Sequence, residues 1–184
     1  GYSLNRQFGP EHWTLYKGKH LMCFVDNHDV NRLASVLTDS YHIALAYGLL
    51  FSMPGIPCIY YGSEWGAEGV KGHQSDKDLR PCFSKPISNN ISKWIALLSK
   101  MRKENPELSY GNYQQLYINN QPLVFMREYE DGRVMAALNV SSEVHEAFMP
   151  VQATSLTDLL SGEKLSYNGN LLLKPKSISF YRVH

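Results

Sequence analysis

The stretch that decides the fold of the first half is Leu-Met-Cys-Phe-Val-Asp, at residues 21–26. A short, nearly continuous apolar run that ends in polar residues is typical of a strand buried on both faces, as in a parallel sheet. A second run of this kind begins 36 positions later and covers residues 57–61. We therefore predict two buried strands that run side by side in the same direction.

Between these strands the spacing of the apolar residues predicts a helix. Asp39 or Ser40 can cap its start, and Pro54-Gly55 stops it. Its apolar positions follow helical spacing and are Ile43, Ala44, Tyr47, Leu50 and Phe51. The order strand, helix, strand has a period close to the roughly 30 residues of one βα unit in a (β/α)8 barrel.

A polar, glycine-containing loop at residues 63–86 follows, and loops of this length are usually functional. After it, Asn89 or Asn90 can cap a second helix, which ends at Asn105-Pro106. The apolar stripe of this helix consists of Ile91, Trp94, Ile95, Leu98 and Met101. The first half thus contains two strands, each followed by a helix.

After Pro106 the pattern changes to short strands. Residues 123–130 and 133–140 flank Asp131-Gly132, a dipeptide typical of a two-residue β-hairpin turn. Further strands are predicted at residues 143–149, 155–160, 163–167, 171–174 and 177–183. Short strands separated by turn residues favour a small antiparallel β-sandwich.

The composition argues against several functional classes. Lys and Arg total 18 against 17 Asp and Glu, a formal net charge of +1, so no strong field exists to attract nucleic acid or anionic lipid. The longest apolar stretches fall short of the roughly 20 residues of a membrane span. We therefore predict no nucleic-acid partner and no membrane partner. Three widely spaced cysteines indicate no regular disulfide framework.

The tripeptide Asn27-His28-Asp29 directly follows the first predicted strand. In barrel enzymes the carboxyl ends of the strands hold the active site. In isolation this tripeptide is more typical of a turn held by Asx-type hydrogen bonds. Its position at a strand end, before Met-Pro-Gly-Ile-Pro at residues 53–57 and Tyr-Tyr-Gly-Ser-Glu at residues 60–64, makes the pattern specific.

These motifs resemble the α-amylase family of glycoside hydrolases, whose seventh barrel strand ends in Phe-x-x-Asn-His-Asp, here residues 24–29. The resemblance covers roughly residues 20–184. It implies an α/β plus all-β fold, in which the last βα units of a (β/α)8 barrel precede a small antiparallel β-sandwich. We place the barrel part, with strands seven and eight, at residues 1–106 and the sandwich at residues 107–184.

The resemblance also implies roles for the tripeptide. Asp29 would be the third carboxylate of a retaining mechanism, which favours the transition state by hydrogen-bonding the distorted sugar ring. His28 would hydrogen-bond hydroxyls of the same sugar, and Asn27 would support the loop. The nucleophilic Asp and the acid Glu follow the fourth and fifth strands in the family. We therefore expect this polypeptide alone to be inactive, and α-glucans or maltooligosaccharides to be the substrates of the complete enzyme.

Two arginines are further candidates for substrate binding. Arg80 could line an acceptor subsite, although a solvated ion pair with a neighbouring Asp is the more common arrangement. Arg32 could hold catalytic carboxylates ionised or serve only the fold. His73, Asp76 and Asp78 share one loop but show no metal-ligand pattern, so we predict no metal and no cofactor.

Two other functions remain open from the sequence. A non-catalytic amylase-like scaffold, such as the heavy subunit of some amino-acid transporters, would not need an intact Asn27-His28-Asp29. A carbohydrate-binding β-module would leave the barrel-like half unexplained. Since Gly1-Tyr2-Ser3 carries no initiator Met, we expect an internal start, and the compartment is not indicated. Uncovered strand sides predict self-association of the chain.

Overall fold

The computed structural model describes residues 2–72 and 75–184. Its first half contains a parallel pair of short strands, β1 (Met22–Cys23) and β2 (Ile56–Pro57). Met22 pairs with Ile56, and Cys23 pairs with Pro57. The predicted parallel order is confirmed. Each strand is shorter than predicted, because only these two residues on each side form the ladder.

Helices flank this pair. The predicted helix between the strands is α3 (Tyr41–Ser52), and the predicted helix after the long loop is α4 (Asn90–Glu104). Asn89 caps α4, since its side-chain oxygen accepts hydrogen bonds from the backbone N–H groups of Ile91 and Ser92. Three short helices were not predicted: α1 (Tyr2–Phe8), α2 (Leu33–Val36) and α5 (Pro106–Tyr110). Within the described residues, every helix is too short or too polar to cross a bilayer.

The second half is antiparallel. A six-stranded sheet has the order β3-β4-β5-β10-β7-β8, and a separate pair consists of β6 and β9. The strands are β3 (Asn112–Ile118), β4 (Pro122–Tyr129), β5 (Gly132–Asn139), β6 (His145–Phe148), β7 (Ser155–Asp158), β8 (Lys164–Ser166), β9 (Asn170–Leu173) and β10 (Ser177–Val183). All predicted strands are present, and β3 was missed.

The β4–β5 hairpin is confirmed, but its turn lies one residue earlier than predicted. Tyr129 pairs with Gly132, so the turn residues are Glu130 and Asp131, and Glu130 adopts a φ of 51°. Gly132 itself belongs to β5. Its lack of a side chain is needed for another reason, because a β-carbon there would overlap the carboxylate of Glu107.

Each face of the six-stranded sheet contributes to a different core. On β10, Phe180 faces the helices and packs with Phe51 of α3 and Phe125 of β4. Tyr181 points to the opposite face, where residues of the β6–β9 pair complete a second cluster. Alternation along one strand therefore serves both cores. The first core continues across the predicted boundary at residue 106.

Two buried arginines hold the end of α3. Arg102 of α4 donates to the carbonyl oxygens of Phe51, Met53 and Gly55, and Arg127 of β4 donates to that of Ser52. Cations are favourable at this end of a helix, where carbonyl groups lack partners. Burial lowers the pKa of Arg102 to about 10 and that of Arg127 to about 9. Both helices and the sheet thus meet at one point.

Candidate functional site

The candidate site lies where β1 and β2 end. Because the two strands are parallel, their carboxyl ends meet at the same edge. This places Asn27-His28-Asp29 beside Tyr60 and Tyr61, and the rings of His28 and Tyr60 have their centroids 6.0 Å apart. Both segments therefore lie at the same edge of the parallel pair.

Asp29 is flanked by two basic side chains. Its Oδ2 lies 3.2 Å from Nε2 of His28, and its Oδ1 lies 3.9 Å from Nη2 of Arg80. About half of each of these three side chains is exposed to solvent. The carboxylate is therefore paired on both sides and still accessible to a ligand with hydroxyl groups. Arg80 follows Asp29 by 51 positions in the sequence, and the long loop brings it close to Asp29.

Asn27 acts on the backbone of the same loop. Its Oδ1 accepts a hydrogen bond of 2.8 Å from the backbone N–H of Asp29. This Asx-type turn fixes the direction in which the chain leaves β1. The structure thus places Asn27 under the loop and leaves His28 and Asp29 facing outward.

Asp26 organises the site from below, and the sequence analysis did not identify it. It is buried, and its two oxygens accept hydrogen bonds of 2.7 Å from the Ser63 hydroxyl and from the backbone N–H of Leu33. A carboxylate at the end of a predicted buried strand was the available signal, because a buried charge requires such partners.

Arg32 is fully buried beneath the site. Its Nη1 donates to the carbonyl oxygen of Tyr61 and to the Ser63 hydroxyl, at 2.7 and 2.8 Å, and its Nη2 donates to the carbonyl of Leu79 at 2.8 Å. The guanidinium carbon lies 4.2 Å from the centroid of the Tyr60 ring. Arg32 thus binds protein groups on three sides. Such contacts suit a residue that positions its neighbours.

The aromatic residues at the end of β2 pack against each other. Tyr60 and Tyr61 have ring centroids 4.7 Å apart, and Tyr61 also donates its hydroxyl to the carbonyl of Pro81. Trp65 makes an edge-on contact with Phe83, with centroids 5.2 Å apart. These contacts hold the long loop against the end of β2. Tyr61 nevertheless remains partly exposed to solvent.

The predicted absence of a metal concerned His73, Asp76 and Asp78. His73 lies outside the described residues. Asp76 precedes a 3₁₀ turn at Lys77–Leu79, and Asp78 belongs to that turn. The turn presents Leu79 to Arg32 and Arg80 to Asp29, which gives this part of the loop a structural connection to the site.

Comparisons with known proteins agree with this geometry. The family described as "Alpha amylase, catalytic domain" matches residues 11–132. Cyclomaltodextrin glucanotransferase of Niallia circulans is 31% identical over 151 residues, which are 80% of this chain and 20% of that protein. Cyclomaltodextrinase of Thermoanaerobacter pseudethanolicus is 32% identical over 160 residues, which are 83% of this chain and 27% of that protein.

Solved structures give the same result. The α-amylase of Geobacillus thermoleovorans, complexed with acarbose, superposes with a TM-score of 0.80 at 26% identity, over 90% of this chain and 39% of that one. An Anoxybacillus α-amylase superposes with a TM-score of 0.79 at 26% identity, over 89% and 38%. The chain spans about a fifth to a quarter of the length of the two curated relatives.

Proposed function

Because this chain belongs to the α-amylase family of glycoside hydrolases, we propose that it supplies part of the active site of a retaining enzyme that hydrolyses or transfers α-glucosidic bonds. The substrates of that enzyme are maltooligosaccharides, starch or related glucans. Relatives named cyclomaltodextrin glucanotransferase and cyclomaltodextrinase support a substrate made of glucose units. In this proposal β1 and β2 are the seventh and eighth strands of a (β/α)8 barrel, and the antiparallel half is a sandwich domain.

The observation that carries the proposal is the pair of His28 and Asp29 at the carboxyl end of β1, 3.2 Å apart and open to solvent. A carboxylate accepts two hydrogen bonds from neighbouring hydroxyls of a sugar, and an imidazole N–H donates one. These bonds accelerate the reaction if they are stronger to the oxocarbenium-like transition state than to the relaxed sugar.

The arginines take different roles in this mechanism. Arg80 borders the same surface as Asp29 and binds substrate hydroxyls there. Arg32, which the sequence also suggested as a substrate ligand, is assigned to positioning because it is buried under Tyr60. Asn27 supports the backbone of Asp29.

The nucleophile and the general acid come from other strands of the enzyme in this proposal. Removing members of a catalytic set that acts as a unit abolishes most of the rate enhancement. We therefore expect the 184-residue polypeptide alone to release no reducing sugar from maltoheptaose. Turnover above the enzyme-free blank would contradict this arrangement.

The decisive experiment uses the longer enzyme. Asp29→Asn should lower kcat by at least about 100-fold and leave the far-ultraviolet spectrum unchanged, since the amide is isosteric but carries no charge. Asp131→Asn, in the distant hairpin turn, is the matched control and should keep parental turnover. If Asp29→Asn retains near-parental kcat, Asp29 has no catalytic role.

The uncovered side of the β1–β2 pair gives the isolated chain a further property. Met22 and Ile56, 64% and 55% exposed, pair with each other across the two strands. Apolar side chains beside an unpaired strand edge favour association with a second surface. In the longer enzyme the neighbouring barrel strands would cover them. In the isolated chain we expect concentration-dependent self-association, measured by light scattering, and a strict monomer would contradict it.

A further inference from the structure

A second site lies at the opposite end of the parallel pair from Asp29. A cavity of about 310 Å³ opens next to Gly55, which precedes β2, and is bounded by the segment around Lys19 and by the start of β3 at Asn112. It therefore sits between the amino ends of the two parallel strands and the antiparallel half. Nothing in the proposed glycosidase mechanism uses it.

The lining of this cavity is strongly basic. Among the described residues its lining contains Lys17, Lys19, His20 and Arg127 and one carboxylate, that of Glu128. Arg127 is buried, and the groups that it binds are neutral carbonyl oxygens, those of Ser52, Leu108 and Gly111. A buried cation without an anion leaves a positive potential in its surroundings. The cavity is thus complementary to a negatively charged ligand.

Arg127, which lines the cavity, also has a spare hydrogen-bond donor. A guanidinium has five N–H groups. Nη1 donates to the carbonyls of Ser52 and Leu108, and both Nε and Nη2 donate to the carbonyl of Gly111. These contacts account for four of the five, so one N–H of Nη2 has no acceptor in the part of the chain that the structure describes.

Tyr113 provides an independent indication. It lines the cavity, only 2% of its surface is exposed, and its hydroxyl has no hydrogen-bond partner among the residues that the structure describes. Its ring is fixed against Phe125, with centroids 5.1 Å apart. Burying a hydroxyl without a partner is unfavourable, so its presence points to a ligand that accepts a hydrogen bond.

From these features we propose that the cavity binds a phosphate group, either as free phosphate or carried by a small molecule such as a sugar. The tetrahedral oxyanion accepts from the Tyr113 hydroxyl and the free N–H of Arg127, while Lys19 and His20 supply positive charge at the opening. The volume is at the lower end of the roughly 300–1,000 Å³ of small-molecule sites, which leaves room for a group attached to the phosphate. Tyr16 and Tyr110 line the same cavity and offer rings for a sugar to pack on.

The test uses the 184-residue chain and three probes: inorganic phosphate, glucose 6-phosphate and glucose. Calorimetric titration at constant ionic strength should detect both phosphates and no glucose. Tighter binding of glucose 6-phosphate would identify a sugar phosphate as the ligand, because only this probe can pack on the rings of Tyr16 and Tyr110. Tighter binding of inorganic phosphate would identify free phosphate as the ligand. A ligand that binds the folded chain also raises its melting temperature, which gives a second readout.

Two variants locate the binding. Tyr113→Phe removes one hydrogen bond to a charged group and should weaken the affinity for either phosphate about tenfold or more. Lys19→Gln should weaken it less, and its effect should shrink with added salt. Tyr117→Phe, on the same strand outside the cavity, and Lys85→Gln, on a distant exposed loop, are the matched controls and should bind like the parent.

The outcomes separate clearly. Absence of binding of both phosphates overturns the proposal, and so does glucose binding as tight as that of glucose 6-phosphate. Parental affinity in Tyr113→Phe also overturns it. If Tyr113→Phe does not fold, Lys19→Gln decides, because this exposed residue can be changed without disturbing the core: parental affinity in that variant at low salt rejects the site.

Discussion

Asp26 and Arg32 are connected through one hydroxyl group. Ser63 donates a hydrogen bond of 2.7 Å to Oδ1 of Asp26 and accepts one of 2.8 Å from Nη1 of Arg32. All three residues are buried. The two charges beneath the candidate site are therefore joined by a residue that follows Asp26 by 37 positions, so this contact links the ends of β1 and β2.

Removing this hydroxyl should destabilise the chain strongly. Ser63→Ala leaves a buried carboxylate and a buried guanidinium each without one partner, and hydrogen bonds to charged groups contribute about 1.5–3 kcal/mol. We expect the free energy of unfolding in urea to fall by about 3 kcal/mol. Ser84→Ala, in the exposed part of the loop, is the control. A loss below about 0.5 kcal/mol, within the range of ordinary surface substitutions, would show that Ser63 does not connect the two charges.

Arg127 should be among the residues on which the fold depends most. Arg127→Met fills a similar volume but leaves the carbonyls of Ser52, Leu108 and Gly111 without this donor. Each unsatisfied buried carbonyl costs about 1–3 kcal/mol, so the free energy of unfolding should fall by at least about 3 kcal/mol. Arg133→Met is the control, because Arg133 lies on the neighbouring strand β5 and donates an exposed hydrogen bond to Gln152. Chemical denaturation of both variants gives the two losses in the free energy of unfolding. Equal losses in both variants would argue against the anchoring role.

A contact between the two halves should depend on pH. Lys176 binds Oδ2 of Asp39 at 2.6 Å, and this hydrogen bond, together with that from the backbone of Tyr41, lowers the pKa of Asp39 in the folded chain. A carboxyl whose folded pKa is lowered stabilises the fold above its unfolded pKa of about 3.9 and loses that contribution as pH falls through the folded value. Asp39→Asn should therefore shift the urea midpoint downward at pH 7.

The same comparison at acidic pH supplies the control for Asp39. As pH falls below about 3.9, the difference between the parent and Asp39→Asn should shrink toward zero, because the carboxyl becomes protonated in both folded and unfolded states. Asn keeps an oxygen for the backbone N–H of Tyr41, so the change isolates the charge. A difference that stays constant from pH 7 to pH 2 would exclude the ion pair as its cause.

Gly132 should tolerate no side chain while Glu107 is present. In Gly132→Ala the added methyl would overlap the Glu107 carboxylate, which is also bonded to Arg182. Overpacking of this kind costs about 1–3 kcal/mol of unfolding free energy. In a Glu107→Ala background the same Gly132→Ala change should be nearly neutral, because the methyl then has space. A double-mutant cycle that shows simple additivity would refute this explanation.

The helices and strands that are determined by the local sequence pattern were predictable. The parallel order of β1 and β2 follows from two apolar runs separated by a helix, and α4 follows from its cap at Asn89 and its apolar stripe. The β4–β5 hairpin was predicted from two runs around Asp131-Gly132. The position of its turn was not, because the glycine is required by contact with Glu107, which is 25 positions away.

The features that the sequence analysis missed depend on contacts with residues far away in the sequence. β3 carries Gln114 and Gln115 in its centre, which hides its strand character, and only pairing with β4 reveals it. The placement of Asn27, His28 and Asp29 at the strand end was predictable from the order of the residues. The burial of Arg32 was not, because its partners Tyr61 and Leu79 follow it by 29 and 47 positions.

The two arginines at the end of α3 have a consequence for how the chain comes apart. Arg102 reaches that end from α4, and Arg127 reaches it from the antiparallel sheet. If either half unfolded first, the contacts between these arginines and the carbonyl groups at the end of α3 would be disrupted. We therefore expect both halves to unfold together, and heating should give one calorimetric transition. Cleavage of the peptide chain near residue 106 would accordingly release two unstable pieces in place of an autonomous β-domain.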